Sequence, residues 1–190
     1  MEEDYSIPKE IYIKNDFVIT RQERNKYYVN FSMQNNKTYL DSIINFNIMT
    51  ILYEMNKDIF DDYKVQIINE EEAEVYFLIK HFFSDLGLPQ KYFHMHVKKV
   101  IDKESNVISF ACENSTIDHL VIPNKGDIAN IDNIFINCHF TNKHNVFINY
   151  KMFINPEVEI PAFMEKIMGI VASKIFLKTK QFIENINNNV

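Results

Sequence analysis

Ile154-Asn155-Pro156-Glu157-Val158-Glu159-Ile160-Pro161 joins an alternating apolar segment to the longest helical pattern in the chain. Pro161 suits the first position of a helix, where its missing N–H is not needed. From there to Asn187, Phe163, Met164, Ile167, Met168, Val171, Ile175, Phe182, Ile183 and Ile186 recur at i, i+3, i+4 spacing. One face of this helix must therefore be buried. A helix of about 25 residues is about 38 Å long at 1.5 Å per residue. Only a large sheet can cover it. Gly169 stands mid-helix, where it costs about 1 kcal/mol relative to Ala. Room for a ligand, or close packing, would account for it.

Working outward, the remainder of the chain reads mostly as strand. Residues 18–20 and Lys26–Gln34 form two strands; in the second, Tyr27, Val29, Phe31 and Met33 alternate with polar residues. Residues 21–25 read as their connecting turn. Residues 37–63 switch to helical period, with Leu40, Ile44, Ile48, Ile51, Leu52, Met55 and Ile59 on one side. Three hairpins follow: 64–69 with 74–83, Lys91–Asp102 with Val107–Asn114, and 134–141 with 146–154. Each has polar residues at its turn, which predicts antiparallel pairing. Loops 84–90 and 117–132 break the regularity. The pattern predicts an α+β fold: an antiparallel sheet with one long C-terminal helix gripped against it. Space left between a curved sheet and a single helix is a natural pocket for an apolar ligand.

Composition narrows the function. At 190 residues the chain is one domain, with residues 1–25 as an N-terminal segment, partly ordered, that joins the sheet of a 26–187 domain. The net charge of -6 provides no basic stripe, which excludes nucleic acid as the expected partner. The acidic start Met1-Glu2-Glu3-Asp4 is no signal peptide, and no apolar run is long enough to span a membrane. Cys112 and Cys138 lack C-x-x-C spacing and read as reduced, buried thiols, so a cytoplasmic protein is expected.

Four stretches, taken in order, resemble the StAR-related lipid-transfer (START) family of the helix-grip superfamily. They are Ile51-Leu52-Tyr53-Glu54-Met55-Asn56-Lys57-Asp58-Ile59-Phe60-Asp61; Val75-Tyr76-Phe77-Leu78-Ile79-Lys80 with Lys91-Tyr92-Phe93-His94; His119-Leu120-Val121-Ile122-Pro123 with Gly126; and Asn149-Tyr150-Lys151 through Pro156 to Ile160-Pro161-Ala162-Phe163. The chain departs from the family pattern where Phe60 replaces a Trp, and where Lys91-Tyr92 stands in place of an Arg-Asp pair. The family's N-terminal helix has no counterpart.

The resemblance implies a helix-grip fold with an internal apolar cavity, and a non-enzymatic carrier of one phospholipid, fatty acid or sterol. Such a carrier would be a monomer in transient contact with a membrane surface, without cofactor, metal or catalytic residues. Met164, Met168, Val171 and Ile175 of the helix and Ile136, Tyr150 and Met152 of the last hairpin would line the cavity. Methionines suit an adaptable lining. Phe83, Leu86, Gly87 and Leu88, apolar for a loop, would form its gate. Lys91, His94 and His96 are the polar candidates for the head group. Two rival readings use the same fold. One is a helix-grip enzyme with His94, His96 and Tyr150 in its pocket, although no nucleophile–base order is present. The other is an interaction module with a closed core.

Overall fold

The structure, a computed structural model, describes residues 5–82, 84, 87, 89–116, 120 and 126–187. Its elements are β1 (Lys9–Lys14), β2 (Phe17–Glu23), β3 (Lys26–Gln34), α1 (Leu40–Ile43), α2 (Asn47–Met55), β4 (Phe60–Ile67), β5 (Glu72–Ile79), β6 (Lys91–Asp102), β7 (Val107–Asn114), β8 (Asp127–Ile128), β9 (Ile131–Asn142), β10 (Asn145–Ile154) and α3 (Ala162–Asn185). The strands form one sheet in the order β1-β2-β3-β10-β9-β7-β6-β5-β4, with the short β8 lying parallel to β6. All other pairings are antiparallel. The fold is the expected α+β helix-grip arrangement. No helix among the described residues is long and apolar enough to cross a membrane.

One face of the sheet carries the core. Phe17 and Ile19 of β2, Val29, Phe31 and Met33 of β3, Ile148 of β10, Phe110 of β7, Val97 of β6 and Val75 of β5 all belong to it. Successive strand residues point to opposite faces, so this inner face is continuous from β2 to β5. Phe176 of α3 presses into it against Phe17, Phe31 and Tyr150, with ring centroids 6.1, 5.7 and 5.2 Å apart. Cys112 and Cys138 are buried, unbonded thiols on this face, and burial pushes both up to about 12. They stand in different rows, Cys112 opposite Ile134 and Cys138 opposite Ile108.

Several elements differ from their sequence expectation, each for a local reason. The helix expected over 37–63 is two short helices followed by the start of β4. Asn45 breaks it: its side-chain amide donates to the Ser42 carbonyl and its oxygen accepts the Asn47 N–H, both at 2.8 Å. Asn side chains compete with helical hydrogen bonds in this way. The N-terminal segment forms two full strands. β1 turns into β2 at Asn15, which holds φ +55, and β2 runs on to Glu23 before turning at Asn25, φ +62. Asn tolerates this left-handed conformation better than most residues. Arg21, expected in a turn, lies inside β2.

The buried stripe of α3 is also rotated from the expected one. Glu165, Gly169, Ser173, Thr179 and Ile183 are buried, whereas Phe163, Ile170 and Phe182 are exposed. Gly169 is the reason. A Cβ built there would lie 2.6 Å from Cγ2 of Ile11 on β1. The helix backbone sits directly on the edge strand, so Gly169 makes room for close packing. Gly169→Ala is expected to destabilise the protein by about 1–3 kcal/mol, as overpacking does, although Ala favours helix. Adding Ile11→Ala, which removes the clashing methyl, should recover part of that loss. Urea unfolding measures both; a stabilised Gly169→Ala would contradict the close approach.

Candidate functional site

Helix rotation decides which α3 side chains face inward. At about 100° per residue, Gly169 points at β1, Thr179 lies on the side toward α2, and Ile170 lies on the opposite side. Met164, Met168 and Ile175 share the Thr179 side, with Val171 at its upper margin. They lie on the flank of α3 toward α2, while Phe176 is the α3 side chain that points into the sheet, onto Phe17, Phe31 and Tyr150. Met168, Val171 and Ile175 pack against the core as half-buried residues; Met164 is half-buried outside it.

On the sheet, Tyr150, which meets Phe176 of α3, pairs with Ile136, and Met152 with Ile134, across β10 and β9. These are inner-face residues in the middle of the sheet. They are flanked along the strands by the buried Cys138 and Ile148 at one end and Ile131 and Ile154 at the other. Yet Ile134, Ile136, Tyr150 and Met152 all keep part of their surface accessible. An inward-facing residue surrounded by buried neighbours stays accessible only where the packing above it is incomplete. Burial pushes the Tyr150 hydroxyl far above its ordinary pKa.

Polar side chains hold α3 to the rest of the fold at three levels. In its first turn, Glu165, 4% exposed, accepts both oxygens' worth of contact from Arg21 Nη1 at 3.2 Å and a hydrogen bond from the Tyr27 hydroxyl at 2.9 Å. Arg21 is 2% exposed, and the Tyr5 ring covers it at 4.5 Å. Burial, then the charge of Glu165, raises the Tyr27 hydroxyl well above its usual range. Further along, Asn56 Nδ2 at the end of α2 donates to the Ile175 carbonyl at 3.3 Å and to Thr179 Oγ1 at 3.2 Å. At the C-terminal end, Asn35 Nδ2 donates to the Ile183 and Ile186 carbonyls at 2.7 and 2.9 Å. Thr38 Oγ1 also donates to the Ile186 carbonyl, at 3.2 Å, so the end of α3 is held from the loop after β3. Arg21, Glu165, Asn56 and Asn35 were all missed by sequence reasoning, which had no signal for which polar residue would be buried. The turn signal at Arg24-Asn25 would have placed Arg21 in the strand.

The head-group candidates divide. His94 and His96 alternate with the core-facing Phe93, Met95 and Val97, so they stand on the outer face of the sheet, turned away from α3. There His94 Nε2 contacts Glu74, whose carboxylate also accepts the Ser115 hydroxyl at 2.8 Å. His96 lies 3.8 Å from Glu72 and 3.9 Å from Glu113. Neither histidine can meet a ligand held between sheet and helix. Lys91 pairs with Asp127 across β6 and β8 at 3.4 Å. Among the described residues no group of three His, Cys, Asp or Glu could hold a metal ion. Of the expected gate, Phe83, Leu86 and Leu88 lie outside the described residues; Gly87 is an exposed turn residue at φ +69.

A long helix held over the inner face of a broad antiparallel sheet is a START-like, helix-grip fold. Comparison with solved structures bears this out. The chain is similar to the lipid transfer and protein localization domain of human StarD13 (DLC2), with TM-score 0.69 and 8% identity, covering 94% of this chain and 90% of that one. It is similar to human StAR-related lipid transfer protein 5, with TM-score 0.65 and 8% identity over 94% of this chain and 86% of that one. It also resembles a STAR-related lipid transfer protein fragment from Xanthomonas axonopodis, with TM-score 0.65 and 11% identity over 94% and 99%. No family model and no curated protein sequence matches the chain. At these identities the likeness is one of fold.

Removing one member of a buried ion pair costs about 3–5 kcal/mol, because the other charge stays buried alone. Arg21→Met is expected to lose that much stability in urea unfolding. Arg21→Met with Glu165→Leu should lose markedly less than Arg21→Met alone. Equal losses in the two proteins would mean that the pair is not what holds the first turn of α3.

Proposed function

We propose that the protein is a lipid carrier that holds one phospholipid, fatty acid or sterol between the inner face of its sheet and α3. The observation that carries this reading is the partial accessibility of Ile134, Ile136, Tyr150 and Met152 in the middle of an otherwise buried face. Met164, Met168, Val171 and Ile175 form the opposite wall. The similar structures, which their descriptions give as lipid-transfer proteins or domains, support a carrier over an enzyme. Each chain contains its own cavity, so one chain is the carrying unit. It acts in the cytoplasm and touches membranes only to load and unload.

Energetics suit exchange. Moving a 16-carbon tail from water into an apolar cavity is favourable by up to about 13 kcal/mol, at about 0.8 kcal/mol per CH₂. Moving it from a bilayer gains almost none of this, since the tail is already out of water. Affinity for free lipid is high while transfer between membranes stays near balance. Selectivity then rests on the few polar groups in the cavity. With α3 tied at Glu165, Asn56 and Asn35, opening falls to the loop containing Phe83, Leu86, Gly87 and Leu88.

Transfer of a fluorescent lipid between vesicles tests both wall and gate. Met168→Trp should fill the cavity and lower binding by roughly tenfold, the effect of about 1.4 kcal/mol, while the protein stays folded. Leu86→Asp with Leu88→Asp should leave binding intact and slow transfer. Unchanged binding in folded Met168→Trp would overturn the proposed wall, and unchanged transfer in the loop variant would overturn the gate.

A further inference from the structure

We infer that, on the carrier reading above, the lipid is uncharged and bonds its one hydroxyl, that of a sterol or of a long-chain alcohol, to the hydroxyl of Tyr150. Three observations meet at this residue. The first is its reach. Tyr150 stands on the inner face in the middle of β10, and its ring meets Phe176 of α3 at 5.2 Å. The Cys112 thiol of β7 adds to the upward shift of its pKa. Between β10 and β7 lies β9, so the hydroxyl end of the ring extends over β9 toward β7. There Ile136 stands opposite Tyr150, and Ile134 opposite Cys112. Both keep part of their surface accessible, so the hydroxyl ends where the face is least completely packed.

The second is that this hydroxyl makes no hydrogen bond among the described residues. The Tyr27 hydroxyl, on the same face, donates to Glu165 at 2.9 Å. Buried tyrosines usually find such a partner, and a donor kept from both water and partner is costly. A ligand oxygen that accepts from Tyr150 removes that cost.

The third is the setting. The neighbours of Tyr150 on the face are Ile134, Ile136, Met152 and Cys112, and burial is the leading cause that raises its pKa far above the ordinary value. Surroundings that oppose a tyrosinate oppose a phosphate or a carboxylate for the same reason, since a buried charge must be paired. Two cations of the inner face are committed elsewhere. Arg21 is held by Glu165 at 3.2 Å, and Lys99 lies over the Phe46 ring at 5.1 Å. A phospholipid or an ionised fatty acid would leave its charge unpaired beside Tyr150. A neutral hydroxyl needs one hydrogen bond, which Tyr150 supplies.

Uptake of radiolabelled lipid from phosphatidylcholine vesicles tests this on the whole chain. Hexadecanol, palmitate and palmitoyl-lysophosphatidylcholine, each present in trace amount, offer one tail with three head groups. The tail is out of water in bilayer and protein alike, so the head group decides uptake. Cholesterol is the fourth label and separates a sterol from a straight-chain alcohol as the source of the hydroxyl. At least one of hexadecanol and cholesterol should be taken up roughly tenfold better than either ionised lipid. Tyr150→Phe removes only the hydroxyl. It should lower uptake of that alcohol roughly fivefold, the effect of one hydrogen bond, and leave uptake of the ionised lipids unchanged. Its stability in urea should match wild type, because the hydroxyl has no partner to lose. Ionised lipids taken up as well as the alcohols, alcohol uptake indifferent to Tyr150→Phe, or a marked loss of stability in that variant would overturn the inference and leave the carrier reading standing. Uptake of none of the four lipids would overturn both.

Discussion

The contact between Gly169 and Ile11 sets the geometry on which the rest of the structure depends. A helix lying on a sheet can in principle roll about its own axis. Here the roll is fixed because only one position on α3 lacks a Cβ, and that position must meet the edge strand. Every other assignment follows from the roll. Phe176 turns onto Phe17, Phe31 and Tyr150, and Met168 and Ile175 turn toward α2. Glu165 and Thr179 come under polar partners on β2 and α2. Phe163 and Ile170 are left outside, past the edge. An apolar stripe counted from the sequence alone puts Phe163 and Phe182 inside, and the glycine contact moves them out.

Polar groups then lock what the glycine positions. A buried Arg–Glu pair contributes little net stability on its own, because both charges lose water. Its role is positional: Arg21 and Tyr27 converge on one carboxylate in the first turn of α3, so the turn has one low-energy seat. Asn56 and Asn35 do the same further along, by satisfying helix carbonyls and a hydroxyl. For the proposed carrier, α3 would then be a fixed wall, and opening would fall to another segment.

Much of the architecture was legible because period and turn chemistry act locally. The alternation in Lys26–Gln34, the polar turns at 103–106 and 143–144, and the strand–Pro–helix junction each specify their own conformation. The extra N-terminal hairpin was missed although Ile11-Tyr12-Ile13 and Asn15-Asp16 were signals for it. The single helix expected over 37–63 failed at Asn45, whose side chain outcompetes the backbone. The polar cluster was illegible for a different reason. Arg21 and Glu165 lie 144 residues apart, and nothing local distinguishes them from solvated charges. His94 and His96 were correctly placed on the side opposite Phe93 and Met95, but which side faces the helix depends on the whole sheet.

The proposed role requires that the partly accessible inner face around Tyr150 and Met152, under α3, hold a lipid. Native mass spectrometry of the protein purified without detergent tests it most directly. The account predicts a population heavier than the bare chain by the mass of one lipid, released on activation and identifiable after organic extraction. A chain that shows only its bare mass, and still does so after incubation with phospholipid, fatty acid and sterol vesicles, would contradict it.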